Sequence, residues 1–171
     1  MKNLLFGLIA TVLFAFNGNA QEKLTQEDVR LQMATSMSQL VEQCKETYSK
    51  EMNYEEFINK TFEGNKIETE AGNNLMKKAY EFLSKGVDNE EIIKGYNGKE
   101  MAAVTIIAGF SCSTQNAVVN IFGQDIANSH TGEALIANKG CGWFQWLCDA
   151  ASWVWAHRKE ILEILLLVHW I

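Results

Sequence analysis

Residues 25–48 read Thr25-Gln-Glu-Asp28-Val29-Arg-Leu-Gln-Met33-Ala-Thr-Ser-Met37-Ser-Gln-Leu40-Val-Glu-Gln-Cys44-Lys-Glu-Thr-Tyr48. A hydroxyl three residues ahead of a carboxylate is a helix-start pattern. The side-chain oxygen takes an orphan backbone N–H, and the carboxylate reaches back to the cap. Val29, Met33, Met37, Leu40, Cys44 and Tyr48 then recur at helical spacing, so one face of this helix is expected to be buried. The next segments repeat the grammar. Asn53 with Glu56 opens a stretch carrying Tyr54, Phe57, Ile58 and Phe62. A third runs from about Glu68 to Lys85, with Ala71, Leu75, Ala79, Phe82 and Leu83 inward and Gly86 as its stop. Asp88 with Glu91 starts a short fourth that ends before Asn97-Gly98.

No strand-like alternation of useful length breaks this pattern, and the 171 residues contain no proline. The expected fold class is all-α, a compact helical bundle with a long apolar, Trp-rich C-terminal helix. A net charge of −6 and a large apolar fraction exclude a disordered chain and argue against a nucleic-acid partner.

Composition divides the chain. Residues 21–100 hold 11 basic and 16 acidic side chains, whereas 101–171 hold only 3 and 5. All five tryptophans lie between Trp143 and Trp170. A charged helical segment is therefore joined to an apolar Cys/Trp-containing one, either as one domain or with the C-terminal part releasable.

Ahead of both, residues 1–20 have one lysine, an apolar run from Leu4 to Phe16 and the ending Asn17-Gly18-Asn19-Ala20. That is the pattern of a secretory signal peptide cleaved after Ala20; the alternative is an uncleaved membrane anchor. The expected destination is exported, periplasmic or secreted, where disulfides persist.

The back half has no charge between Glu100 and Asp125. Its middle, Ser111-Cys112-Ser113-Thr114-Gln115-Asn116, is too polar for a comfortable bilayer span. A buried core helix, broken near Gly109, is the expectation. Residues 124–140 are rich in Gly and Asn and read as a loop with one short helical turn. From Trp143 to Ile171 there is neither glycine nor proline. A narrow polar strip there (Gln145, Asp149, Ser152, Lys159, Glu163) leaves most of the circumference apolar. His157-Arg158-Lys159-Glu160 interrupts it.

Trp143, Trp146, Trp153, Trp155, Leu165, Val168 and Trp170 are the candidate contacts with a membrane surface or a protein partner, because indoles favour membrane–water boundaries. The competing reading makes this helix the core of the bundle. Its polar strip is mixed in sign, which counts against strong attraction to anionic lipid.

Four cysteines, Cys44, Cys112, Cys141 and Cys148, are disulfide candidates. Cys141 and Cys148 can pair only if the chain between them turns, since seven helical residues separate Cα atoms by about 10.5 Å. Cys44 then either meets Cys112 or remains, like it, a small buried thiol. No zinc-ligand spacing occurs. His157 and Glu160 lack a third ligand and read as a solvated patch. Ser111 and Ser113 sit in no GxSxG elbow, and no glycine-rich phosphate loop is present. No catalytic residue, metal ligand, cofactor or small-molecule substrate is therefore identified, and the expectation is a non-enzymatic protein.

Ser111-Cys112-Ser113-Thr114, and some thirty residues later Gly140-Cys141-Gly142-Trp143 with Cys148 following, resemble segments of fulvocin C-type bacteriocins and related exported bacteroidete proteins. The resemblance covers residues 110–148. It implies a secreted, bacteriocin-like antimicrobial precursor in which Cys112, Cys141 and Cys148 are bridging residues without catalytic role. This chain departs from the pattern in having fewer cysteines there and a long apolar segment after them.

Overall fold

A computed structural model describes residues 23–96, 114–129 and 142–167. Described residues form helices α1 (Gln26–Cys44), α2 (Tyr54–Thr61), α3 (Glu70–Lys85), α4 (Asn89–Gly95) and α5 (Thr114–Phe122), a 3-10 turn (Gly142–Phe144), then α6 (Gln145–Ala156) and α7 (Arg158–Leu167). The chain is all-α, with no strand among the described residues. The expected signal peptide at 1–20, the expected core helix around 101–113 and the region 130–141 lie outside the described residues.

The start signals work as their chemistry requires. Thr25 Oγ1 accepts from the Asp28 N–H at 3.2 Å while an Asp28 carboxylate oxygen accepts from the Thr25 N–H at 2.7 Å. Asn53 and Glu56 form the same reciprocal pair at 3.0 Å each way, and Asp88 accepts from the Glu91 N–H. Each cap contributes about 1 kcal/mol. Gly86, at φ +63°, ends α3 in the left-handed conformation that glycine adopts without a Cβ clash.

Helix α1 is the axle of the fold, touching α3, α4 and α6. Three partners explain why its buried arc is wider than the expected stripe. Val29, Met33, Met37, Leu40 and Cys44 are inside, but so are Ala34, Ser36, Ser38 and Val41. The small side chains let neighbouring backbones approach, and Ser36 satisfies its hydroxyl by donating to the Gln32 carbonyl. Arg30 Nη1 donates to the Ile93 carbonyl of α4 at 3.1 Å.

Helix α3 starts two residues later than the sequence predicts, because Thr69 is the cap, accepting from the Gly72 N–H at 3.0 Å. Glu68 has another task. Its carboxylate accepts from the Gln124 and Asp125 N–H groups at 3.3 Å each, and its own N–H donates to the Phe122 carbonyl at 2.9 Å. That clasp holds the turn at Gly123 (φ +111°). It also caps a helical run over 124–129, so the predicted loop opens with six helical residues.

The long C-terminal helix is corrected to three pieces over 142–167: a 3-10 turn, α6 and α7. The break falls at His157. Its backbone N–H donates to the Trp153 carbonyl at 3.1 Å, its Nδ1 lies 2.9 Å from the same oxygen, and its ring sits 4.7 Å from the Trp153 ring. No described helix is long and apolar enough to cross a membrane.

Residues of both compositional halves share one buried cluster. Phe57, Phe62, Leu75 and Ile92 join Phe122, Phe144, Trp146 and Leu147 in it.

Candidate functional site

The indoles divide by burial. Trp146 is 1 % exposed, on the face of α6 that also buries Leu147, Ala150 and Val154. It is a core residue, which corrects its candidacy as a contact residue: α1 and α5 both pack on α6 and leave it no route to a partner. Trp143 is half-buried, its ring 5.3 Å from Phe62 and 5.0 Å from Phe144. Trp153 is half-buried against His157.

Trp155 is different, at 49 % exposed. The side chain of Leu165, together with Val168 and Trp170, lies outside the described residues.

Leu162, at 37 % exposed, completes the pair of large apolar side chains left open among the described residues. Sequence reading missed it. The available signal was its place seven residues after Trp155, two helical turns on, across a break that periodicity alone did not locate. Between them stands Arg158. Its guanidinium lies 4.4 Å from the Trp155 ring centroid, and Nη1 donates to the Trp155 carbonyl at 2.6 Å. Carbonyls at a helix end carry partial negative charge, so the cation stabilises the end of α6 while shielding one side of the indole.

Lys159 is exposed beside it. Neither cation forms an ion pair among the described residues, whereas Arg30–Glu27, Lys85–Glu81 and Lys94–Glu90 are paired within their own helices and Lys45–Glu42 across the end of α1.

His157 and Glu160 are half-buried rather than a solvated pair, and the imidazole is committed to Trp153. Among the described residues no group of three or more His, Cys, Asp or Glu is placed to hold a metal ion.

Cys44 is a free thiol, 0 % exposed. Of the two readings open for it, the structure has the buried thiol, which corrects its candidacy for a disulfide. It faces the core from the last turn of α1, and burial pushes its pKa up to about 12, so it carries almost no thiolate at neutral pH. Cys148 is disulfide-bonded; Cys112 and Cys141 lie outside the described residues.

Elsewhere, Tyr54 and Tyr80 pin the chain ahead of α2. Tyr80 Oη donates to the Met52 carbonyl at 2.7 Å, and Tyr54 Oη donates to the Asn73 carbonyl at 3.2 Å. Burial raises the Tyr54 phenol to about 12. An open depression beside them, lined by Glu51, Met52, Glu56, Asn59 and Lys60, is shallow, and Glu56 is already used in capping α2. It lacks the enclosed apolar walls of a small-molecule site.

No protein-family model matches the chain, nor does any curated protein or solved structure.

Proposed function

We propose that this chain is an exported, non-enzymatic helical protein that works by association, with the junction of α6 and α7 as its contact surface. The observation that carries the reading is the exposure of Trp155 and Leu162 on the last two helices. An exposed indole is among the side chains enriched at contact sites. The destination is the periplasm or the medium, on the strength of the signal-like residues 1–20.

The sharper form is a bacteriocin-like precursor in which the charged 21–100 segment keeps 101–171 soluble. Packing of α1 on α6, with Trp146 inside, supports a covering role, and the cysteine patterns around 111–114 and 140–148 support the kinship.

The test is fractionation. The full chain is expressed in an exporting bacterial host and its co-sedimentation with envelope particles is compared with that of a Trp155→Ser/Leu162→Ser variant. Matched circular dichroism and melting temperature control for folding. Association that the variant loses is the expected result. A parent that stays wholly soluble, or a variant that sediments equally, overturns the reading.

A second reading is a helical interaction domain whose C-terminal helices are simply its core. The burial of Leu147, Ala150, Val154 and Ile161 favours it. Under that reading, deleting 161–171 collapses cooperative unfolding, while the Trp155 and Leu162 variants change nothing but a small part of the stability.

A further inference from the structure

We infer that α6 and α7 form a two-state element, held broken at His157 by two side chains and able to close into one continuous helix. This holds whether or not the chain associates with a partner.

The sequence around the break contains nothing that stops a helix. Residues 154–163 read Val-Trp-Ala-His-Arg-Lys-Glu-Ile-Leu-Glu, without glycine or proline and dominated by good helix formers. Sharp interruptions in such a sequence come from a π-bulge or from a side chain that enters the backbone ladder. Side chains are what the joint contains. His157 Nδ1 lies 2.9 Å from the Trp153 carbonyl, which already accepts the His157 N–H at 3.1 Å. Serine and threonine that bond back to the i−4 carbonyl in this way bend helices. The imidazole is fixed further by its ring, 4.7 Å from that of Trp153. Arg158 Nη1 donates to the Trp155 carbonyl at 2.6 Å. In an unbroken helix that oxygen accepts from the Lys159 N–H instead.

The ladder resumes at once, because the Ile161 N–H donates to the His157 carbonyl at 3.0 Å. His157 is thus donor to α6 and acceptor for α7, both at i→i−4 spacing. Its own backbone stands at φ −107° and ψ 17°. Rotation to helical values of about −63° and −42° joins the two helices with no change of register.

Tertiary packing opposes that closure. Ile161 is 3 % exposed and belongs to the buried cluster, and a straight helix would draw it outward. Helix α6 is fixed by α1 and α5, whereas among the described elements α7 packs chiefly on α6, so α7 is the part free to swing. Local preference favours one helix and the core favours two. Such a conflict between levels leaves two arrangements close in energy.

The experiment is backbone NMR on the exported, isotope-labelled chain. The parent is expected to show microsecond-to-millisecond exchange at the amides of residues 156–161 and none in α1. His157→Ala/Arg158→Ala removes both holding side chains. It should bring position 157 to helical carbon shifts, slow amide hydrogen exchange at 158–160 by about tenfold, and weaken the contacts of the Ile161 methyls with the core. Arg158 is exposed, so Arg158→Ala alone leaves the core intact and should give an intermediate result even where the double variant fails to fold. Lys159→Gln should change nothing. Absence of exchange in the parent would overturn the inference. So would variants whose position 157 stays non-helical while 158–160 exchange as in the parent, because core packing alone would then fix a single bend.

Discussion

Gly72 in α3 lies so close to Ile121 in α5 that a Cβ on the glycine would overlap the Ile121 carbonyl oxygen. The same oxygen accepts a hydrogen bond from the Thr69 hydroxyl. A helix interior normally gains up to about 1 kcal/mol when glycine becomes alanine. Here the obstacle is backbone, which cannot rotate away, and steric cost wins. Gly72→Ala is expected to lower stability by about 1–3 kcal/mol, read as a fall in the urea midpoint with unchanged slope.

Glu68 acts across 56 residues of sequence, accepting from the Gln124 N–H. Glu68→Ala leaves two N–H groups at the start of the 124–129 run without their carboxylate. A loss of about 1 kcal/mol is expected, with faster amide exchange at Gln124 and Asp125 than in α1. Glu68→Gln should recover part of it, since one oxygen remains.

The Cys44 thiol gives a pH window. Its folded pKa of about 12 exceeds the ordinary value of 9.0 because burial disfavours the thiolate. The folded state therefore holds its proton when the unfolded state has released it. The contribution to stability is complete below pH 9 and is lost as pH rises towards 12. Cys44→Ala should flatten that alkaline decline, measured as melting temperature against pH. Native protein at pH 8 should also leave Cys44 unlabelled by a thiol reagent until urea unfolds it.

Trp146 and Trp155, nine residues apart, should respond in opposite ways. Trp146→Ala removes a large fully buried side chain and is expected to cost about 3–5 kcal/mol. Trp146→Phe keeps much of the ring and removes an indole N–H that is buried without a partner among the described residues, so it should cost less than half as much. Trp155→Ala gives up its contact with Arg158 and is expected to change stability by less than about 1 kcal/mol. Urea titrations of the three variants make the comparison.

Local chemistry was legible where both partners lie within one turn. Thr25 with Asp28, Asn53 with Glu56 and Asp88 with Glu91 are such pairs, and Gly86 needs only its own backbone. Readability failed where a distant element decides. Glu68 looked like the start of α3 because its true partners, Gln124 and Asp125, are far along the chain. Ala34, Ser36 and Ser38 fell outside the expected stripe because a single stripe assumes a single neighbour, whereas α1 has three. The tryptophans were read together as a contact set, but which side of α6 is covered depends on α1 and α5. That information decides Trp146 against Trp155 and is absent from residues 143–170 themselves. The His157 break was half visible as a polar run; its cause, an imidazole stacked on Trp153, was not.

The shared burial of Phe62, Phe122, Phe144 and Trp146 sets a condition on any maturation step. A protease nick between residues 97 and 113 would sever the covalent thread yet leave the two fragments locked together, as a cleaved zymogen keeps its pieces. Liberating the rear fragment requires melting the joint core, so cutting sets permission and unfolding sets the timing.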